Sequence, residues 1–345
     1  MTSTPPRPAV WFPAIRAGSG TDVFTERLAE GLRRRGIRAE ISWLPHRAEY
    51  APWTVAKPQP PEWANIVHVN SGLPRRFLPL TLPVVATVHG CVHDPTLTSY
   101  KSRAQTLYHR YWIYKIEANT LSIADRIVAV SRYTAQQTST AFNRQDIAVI
   151  PNAIDLSGPF QPVERIAPHK PFRLLYVGNW SHLKGVDLLA PIMEMLGTEF
   201  ELCYTADRKK LHKRHTLPAN SRCLGRFSEP AQLAAVYREA DALIFPSRVE
   251  GFGLVALEAQ ASGTPVIATK VAALPEVIDD GITGLLCSQD DVYTFTSAAR
   301  RLAKNLDLWH SMRGASRRHV ESQFDLNMML DRYVEQYQTA LIESE

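Results

Sequence analysis

Short apolar runs alternate with longer amphipathic segments along the chain, and the alternation occurs twice. The runs predict buried strands, and the segments between them predict helices at about residues 20–35, 98–123 and 132–142. The predicted strands lie at residues 10–15, 39–44, 66–70, 84–89, 126–130, 147–150, 173–177, 201–204, 242–245 and 266–269. Alternating strands and helices indicate parallel sheets covered on both faces, so the fold class is α/β.

A segment without apolar periodicity separates the two halves. Residues 151–170 carry four prolines, which interrupt helices and strands alike, and we interpret them as an interdomain linker. We therefore predict one domain over residues 1–160, a second over 161–323 and a final helical segment over 324–345. The apolar residues of that segment are spaced for one face of a helix: Leu326, Met329, Leu330, Tyr333, Val334 and Tyr337.

Composition narrows the class of protein. The 345 residues suffice for two domains that each bury a core, and 45% hydrophobic with 21% charged residues is ordinary globular composition. Because no stretch approaches 18 apolar residues and residues 1–18 contain no long apolar run, we expect neither a membrane span nor a secretory signal. Four scattered cysteines favour a reducing cytoplasm. The net charge of +5 suits an anionic substrate or membrane surface and is too small to indicate nucleic acid.

The most specific segment is PSRVEGFGLVALEAQASGTPVIATKVAALPEV at residues 246–277, where Glu250 and Glu258 flank a Gly-Phe-Gly turn. A buried strand leads in, and good helix formers from Leu254 predict a helix that begins near Gly253. A helix N-terminus after a glycine turn offers free N–H groups and a positive dipole end to an anion. This layout fits a diphosphate with a sugar at each end, with Glu258 on the ribose. The plainer alternative is that both glutamates are solvated.

This segment resembles the E-x7-E signature of the retaining GT-B glycosyltransferases of the "group 1" type (glycosyltransferase family 4, glycogen-synthase-like). The motifs GSGTDVFTERL, VATVHG, DRIVAVS, IAVIPNAID, LLYVGNWSHLKGVDLL and VIDDGITGLL extend the resemblance over nearly the whole chain. It implies two Rossmann-like parallel-sheet domains facing a central cleft. The N-terminal domain would bind the acceptor and the C-terminal domain the nucleotide sugar, and the last helix would cross back to the N-terminal domain.

The resemblance also implies site residues. The catalytic residues would be His89 on the transferred sugar, Lys184 on the diphosphate and Glu250 on the sugar hydroxyls. The implied substrate-binding residues are Gly18, Gly20, Thr21, Asn179, Arg226, Phe227, Arg248, Gly251, Phe252, Gly253, Leu254, Val255 and Glu258. The chain departs from the family at Asn179, where an arginine usually assists the lysine. Either Arg248 or Arg226 reaches the diphosphate from the other side, or the leaving group is less strongly stabilised. A second departure is Ala153, where glycine is usual.

We expect no metal and no cofactor. His89, Cys91, His93 and Asp94 form H-x-C-x-H-D, but the residues are crowded for a zinc site, and no D-x-D-like pair flanks a strand end. A dinucleotide is disfavoured because the glycine loop at Gly18 lacks the third glycine of G-x-G-x-x-G. The resemblance instead implies a front-face reaction in which the departing phosphate deprotonates the acceptor.

The resulting hypothesis is a metal-independent retaining hexosyltransferase (EC 2.4 type) that uses a nucleotide-diphosphate sugar. Its acceptor would be a glycan or a lipid-linked molecule of cell-surface polysaccharide or lipopolysaccharide biosynthesis. Two alternatives stay open: a nucleotide-sugar 2-epimerase of the same fold, and an inactive nucleotide-sugar-binding protein.

One helix suggests a membrane partner. Residues 97–118 carry aromatic and basic side chains, and we expect a core stripe of Leu107, Tyr111 and Tyr114 beside a lipid-facing flank. The flank would contain Lys101, Tyr108, Trp112 and Lys115, with residues 75–78 adding to it. We therefore expect a cytoplasmic protein that associates peripherally with the inner face of the plasma membrane. An ordinary amphipathic helix is the alternative.

Overall fold

The computed structural model describes residues 7–79, 81–207, 217–227 and 229–344. The chain divides into two compact units. Unit 1 comprises the chain up to Asn152 together with the segment from Leu326 onward, and unit 2 comprises Ala153–Asp325. The predicted linker contains no helix or regular strand, and the first boundary lies at its beginning rather than after residue 160.

Unit 1 contains a six-stranded parallel sheet with the strand order β2-β1-β3-β4-β5-β6. Its strands are β1 (Val10–Ile15), β2 (Ala39–Leu44), β3 (Ile66–Asn70), β4 (Val84–Val88), β5 (Arg126–Ala129) and β6 (Ile147–Val149). Every residue of β4 is buried, as expected for a central parallel strand covered on both faces.

Unit 1 has five described α-helices and one π-helical turn. They are α1 (Gly20–Arg34), α2 (Arg103–Tyr108), a π-helical turn (His109–Ile113), α3 (Tyr114–Ile123), α4 (Arg132–Phe142) and α11 (Leu326–Ser344), which is numbered after the helices of unit 2. Short 3-10 turns occupy His46–Ala48, Pro52–Thr54, Arg75–Phe77 and Pro95–Tyr100. None of the described helices is long and apolar enough to cross a membrane.

Helix α11 is part of the unit 1 core although it is distant in sequence. The Oη atom of Tyr337 lies 2.5 Å from Nδ1 of the buried His68, and Leu330 packs directly on Gly31 of α1. Burial lowers the pKa of His68 to about 3, so the ring is neutral and can pack against Tyr333 and Phe12. Of the six predicted apolar positions, all except the half-buried Val334 are buried.

The helix from Arg103 to Ile123 corrects one expectation. Leu107 and Tyr111 are 56% and 66% exposed and Tyr114 is 39% exposed, so the predicted core stripe is wrong. The π-helical turn inserts one extra residue, which rotates the following turns relative to a regular α-helix. Tyr108 and Trp112, predicted to face lipid, instead donate hydrogen bonds to the side chain and carbonyl of Glu49.

Unit 2 contains a second six-stranded parallel sheet, with the order β12-β11-β10-β7-β8-β9. Its strands are β7 (Phe172–Tyr176), β8 (Phe200–Thr205), β9 (Ser221–Gly225), β10 (Ala242–Phe245), β11 (Val266–Thr269) and β12 (Gly284–Cys287). The apolar runs did not predict β9 and β12, the two edge strands.

The helices of unit 2 enclose a core centred on β7, β10 and Trp309. They are α5 (Val186–Leu196), α6 (Pro230–Arg238), α7 (Leu254–Ala261), α8 (Leu274–Val277), α9 (Val292–Lys304) and α10 (Leu306–Gln323), with 3-10 turns at His182–Lys184 and Gly197–Glu199. Two alternating β and α units, each on a parallel sheet, agree with the α/β fold class.

Candidate functional site

Two loops of unit 2 leave the carboxyl ends of adjacent strands. Strands β7 and β10 pair in register, with Ala242 opposite Leu174, so the loops after Tyr176 and Phe245 begin side by side. Folds with parallel sheets bind their ligands at the edge where the carboxyl ends of the strands lie. The predicted residues Asn179, Lys184, Arg248 and Glu250 lie in these two loops.

The two loops pack backbone against backbone at Gly185. This glycine has φ +68°, and a Cβ atom there would lie 2.1 Å from the carbonyl oxygen of Pro246. The amide of Arg248 donates to the carbonyl of Leu183 over 3.0 Å. A side chain at position 185 would therefore push the lysine loop away from the glutamate loop.

Arg248 holds the same two loops together, and this differs from its predicted role as a ligand of the diphosphate. Its guanidinium donates to both carboxylate oxygens of Asp187 (2.7 and 2.8 Å), to Asp290 (2.7 and 2.6 Å) and to the carbonyl of His182. The hydrogen bonds to Asp187 are the main cause that raises the pKa of Arg248. Because these contacts use all five N–H donors of the side chain, none remains to replace the missing diphosphate arginine.

Lys184 and Glu250 form an ion pair at the centre of this edge. The ammonium of Lys184 contacts Oε1 of Glu250, and the hydroxyl of Ser247 donates to the same oxygen over 2.7 Å. The side chains are only 26% and 12% exposed, respectively. The predicted diphosphate lysine and sugar-binding glutamate are thus brought together, and the hydroxyl of Ser247 orients the glutamate.

Beyond Glu250, the chain turns into helix α7 through Gly251, Phe252 and Gly253. Gly253 has φ +105°, and a Cβ atom there would lie 2.8 Å from the Leu274 side chain. The N–H groups of Leu254 and Val255 belong to the first helical turn, which lacks intrahelical acceptors. The side chain of Phe252 is buried against Phe324, so its backbone alone contributes to the turn.

Glu258 lies further along α7 and is 9% exposed. Its Oε2 accepts a hydrogen bond of 3.2 Å from the hydroxyl of Tyr237 on α6, and Tyr237 is fully buried. Burial followed by the charge of Glu258 raises the pKa of Tyr237, which therefore stays a neutral donor. A buried, hydrogen-bonded carboxylate is not a solvated surface glutamate, so the plainer reading is wrong for Glu258.

Three predicted residues lie at the periphery of this arrangement. Asn179 is exposed, and its carbonyl accepts from the hydroxyl of Tyr176 over 3.0 Å. Arg226 follows β9 and is exposed, with no hydrogen-bond or ion-pair partner among the described residues, and Phe227 beside it is half-buried. No hydrogen bond within the described part of the chain links these three to Lys184 or Glu250.

In unit 1, His89 follows the end of β4 and is held by Asn70 at the end of β3. Nε2 of His89 lies 2.9 Å from Oδ1 of Asn70, and the amide nitrogen of Asn70 donates to Thr25 over 3.5 Å. Burial lowers the pKa of His89 to about 3, so the ring is neutral. Because Nε2 must then donate to Asn70, Nδ1 carries the lone pair and can accept a hydrogen bond.

The glycine loop begins α1 beside His89. Asp22 accepts hydrogen bonds from the amides of Ala17 (3.2 Å) and Gly18 (2.8 Å), and Ser19 pairs with Thr21 through their hydroxyls (2.7 Å). Gly20 is the first residue of the helix. Phe24, one turn later, packs its ring against His89 with centroids 4.5 Å apart.

The H-x-C-x-H-D run does not converge on one point. His89 binds Asn70, His93 binds Glu117 over 3.0 Å, and Asp94 accepts from Thr96 and Tyr133. Within the described ranges, no group of three or more His, Cys, Asp or Glu side chains could hold a metal ion.

Sequence reasoning missed several residues that position the site. Ser247 lies inside the recognised motif, and its place before Arg248 was a usable signal. Tyr237, Asn70 and Asp290 are distant in sequence from the side chains they hold, and no local pattern indicates them.

Comparisons with known proteins identify the family. Residues 171–305 match the model described as "Glycosyl transferases group 1", and residues 44–157 match "Glycosyltransferase Family 4". An uncharacterized 41.2 kDa protein in the cps region of Klebsiella pneumoniae is 28% identical over 262 residues, covering 72% of this chain and 70% of that protein. Glycogen synthase of Mycobacterium tuberculosis is 27% identical over 310 residues, covering 86% and 69%.

Solved structures show the same fold. Sucrose-phosphate synthase from Thermosynechococcus elongatus superimposes with a TM-score of 0.75 at 17% identity, covering 96% of this chain and 99% of its own. WaaG, a glycosyltransferase involved in lipopolysaccharide biosynthesis, gives 0.72 at 17% identity (95% and 99%). Anabaena HepE in complex with UDP gives 0.71 at 15% identity (96% and 100%). The two family models together span more than half of the chain, which therefore belongs to the group 1, family 4 glycosyltransferases of the GT-B fold.

Proposed function

We propose that the chain is a retaining hexosyltransferase that takes a nucleoside-diphosphate sugar in unit 2 and transfers the sugar to a glycan or lipid-linked acceptor bound by unit 1. The pairing of Lys184 with Glu250 beside the first turn of α7 is the observation that carries this proposal. This pairing brings together, at one edge of the sheet, the Lys184 ammonium, a carboxylate that can accept hydrogen bonds from sugar hydroxyls, and free backbone amide groups. The nucleotide complex of HepE supports a nucleotide donor, and the part of WaaG in lipopolysaccharide synthesis supports a cell-surface product.

The proposed reaction uses these groups directly. The bond between the sugar C1 and the diphosphate oxygen breaks, and the departing oxygen keeps the electron pair. Lys184 and the amides of Leu254 and Val255 stabilise the negative charge on that oxygen. The acceptor oxygen bonds to C1 on the same face, and its proton passes to the departing phosphate. Because Lys184 and the helix N-terminus supply the positive charge, the proposed reaction needs no resident metal.

Glu258 provides the test of donor binding. We expect UDP, GDP or ADP to raise the melting temperature, and the matching nucleotide sugar to release nucleoside diphosphate faster when acceptor is present. Glu258→Ala should weaken nucleotide binding by about 1.5–3 kcal/mol, since it removes a hydrogen bond to a charged group. Titration calorimetry of native and variant protein measures this difference.

The exposed Glu194 on α5 gives the matched control, because Glu194→Ala removes the same side chain away from Glu258. Equal nucleotide affinity of the native, Glu258→Ala and Glu194→Ala proteins would reject the assignment of Glu258. Release of a free sugar 2-epimer would favour the epimerase, and binding without turnover on any acceptor would favour an inactive binding protein.

We also propose peripheral binding to the anionic inner face of the plasma membrane, through a surface that shares only Lys115 with the flank inferred from sequence. The exposed Leu107 and Tyr111 lie on the same helix as the exposed Arg103 and Lys115. Exposed apolar side chains beside cations favour an anionic headgroup interface. The predicted contribution of residues 75–78 is wrong, because Phe77 and Leu78 are buried and Arg76 donates to the carbonyl of Val55.

Sedimentation with vesicles that contain phosphatidylglycerol tests this surface. We expect binding that weakens with added salt, and a loss when Arg103 and Lys115 are changed to Glu together, because each cation near the surface contributes about 1 kcal/mol. Lys101 is left unchanged, since its ammonium already contacts the carbonyl of Val92. Equal sedimentation of native and double-variant protein at low salt would contradict the proposal.

A further inference from the structure

A cavity of about 360 Å³ lies within unit 1. One wall is the loop that follows His89 in the sequence, and the other is helix α2 with its π-helical turn. Pockets of this size accommodate a small ligand such as one substituted sugar. The proposed donor site in unit 2 uses none of the residues that line it.

The carboxylates at this cavity already have their hydrogen bonds. Asp94, the one carboxylate among the described lining residues, accepts from the amide (2.8 Å) and hydroxyl (2.7 Å) of Thr96 and from Tyr133. His93 is held by Glu117, which also accepts from Ser71 over 3.2 Å. The acidic groups therefore have little capacity left for a cationic ligand.

Three basic side chains at the same cavity have nitrogen atoms whose hydrogen-bonding capacity is not fully used within the described part of the chain. Lys101 uses one ammonium proton on the carbonyl of Val92, which leaves two. The guanidinium of Arg110 has no hydrogen-bond or carboxylate partner among the described residues, and it lies 5.7 Å from the Tyr111 ring. Nδ1 of His109 is buried and also lacks a partner in the described part of the chain.

Burial and mutual repulsion make this donor cluster receptive to an anion. Burial lowers the pKa of Lys101, and burial followed by the Lys101 charge lowers the pKa of His109. An oxyanion between Lys101, His109 and Arg110 would offset both effects, because it supplies acceptors to all three side chains. Tyr111 and Tyr114, which the π-helical turn leaves exposed at the rim, offer aromatic faces to an attached sugar ring.

We propose that this cavity binds a phosphate group of the sugar acceptor, with Lys101, His109 and Arg110 as its ligands. The proposal rests on the proposed function, since it names the acceptor class of the same transfer. The phosphate belongs either to a free sugar or polyol phosphate or to the headgroup of a lipid. The shared chemistry is a phosphate ester whose organic part contacts the tyrosines at the rim.

Calorimetry with inorganic phosphate, glucose 6-phosphate and glucose tests the soluble source, and vesicles containing phosphatidylinositol test the lipid source. We expect a phosphate-bearing probe to bind and unphosphorylated glucose not to bind. Arg110→Gln and Lys101→Gln should each weaken that binding by about tenfold, as expected for a charged hydrogen bond. Arg110 is exposed, so its variant is expected to fold even where Lys101→Gln does not.

Arg47→Gln is the matched control, because Arg47 is an exposed arginine of unit 1 that belongs neither to the cavity lining nor to the proposed membrane surface. Binding that responds to Arg47→Gln as strongly as to Arg110→Gln would overturn the proposal in favour of general electrostatic attraction. Equal binding of all probes by native protein and the Arg110 variant would also overturn it. Nucleoside diphosphate binding is measured on every variant. If the variants still bind the nucleotide, a failure of the phosphate-binding prediction concerns this cavity alone. If native protein does not bind the nucleotide, the proposed function itself is rejected.

Discussion

Deletion of residues 326–345 is expected to unfold unit 1, although these residues are the last in the chain. Helix α11 buries Met329, Leu330, Tyr333, Tyr337 and Leu341 in that unit. Each such side chain contributes about 1.5–3 kcal/mol, so their loss costs about 10 kcal/mol, as much as a typical domain's total stability of about 5–15 kcal/mol. Hydrogen exchange of the truncated protein should show protection lost throughout residues 7–152 and retained in unit 2.

The deletion begins at Leu326 because Phe324 belongs to unit 2, where its carbonyl accepts from the amide of Ile154 and its ring packs on Phe252. Removal of residues 342–345 is the control, since the described members Ile342–Ser344 are exposed. A truncated protein that keeps native exchange protection in β3 and β4 would show that α11 does not hold unit 1 together.

Local chemistry explains which parts of the site the sequence could predict. The helix start at Gly253 follows from a glycine turn before good helix formers, and the pairing of the lysine and glutamate loops follows from the edge rule for parallel sheets. The role of Arg248 depends on Asp290, which lies 42 positions further along the chain, and no local pattern encodes that contact. The sequence therefore indicated that the lysine and glutamate loops lie together, whereas the contacts of Arg248 could not be inferred from it.

The strands and helices show the same distinction between features that follow from the local sequence and features that do not. Strand β4 was predicted because central parallel strands are uniformly apolar, whereas the edge strand β9 reads Ser-Arg-Cys-Leu-Gly and is partly exposed. The predicted face of the helix at residues 103–123 was wrong because α2, which contains Leu107, buries none of its residues, and because a period of 3.6 residues does not hold across the following π-helical turn. That turn at His109–Ile113 also contributes to the cavity proposed for the acceptor phosphate.

Lys184→Ala is expected to lower kcat/KM for transfer by about 10²–10³-fold, the usual cost of losing one preorganised group that stabilises a developing anion. The substitution removes the cation that contacts Glu250 and leaves the Ser247 hydroxyl as the side-chain donor to that carboxylate in the described part of the chain. Steady-state rates of nucleoside diphosphate release with saturating acceptor measure the effect. Lys304→Ala, which alters an exposed lysine at the end of α9, should leave the rate unchanged.

Asn179→Arg distinguishes an electrostatic role of Lys184 from a structural one. The Asn179 side chain is exposed, and among the described residues it is the backbone carbonyl that accepts hydrogen bonds, so an arginine can be introduced without displacing a buried side-chain contact. If charge on the diphosphate limits the rate, Asn179→Arg should keep or raise the native activity and restore part of the activity of Lys184→Ala. Native kinetics for Lys184→Ala would place the diphosphate elsewhere. A loss that Asn179→Arg leaves unchanged, accompanied by a lower melting temperature, would instead assign Lys184 to holding Glu250 in place.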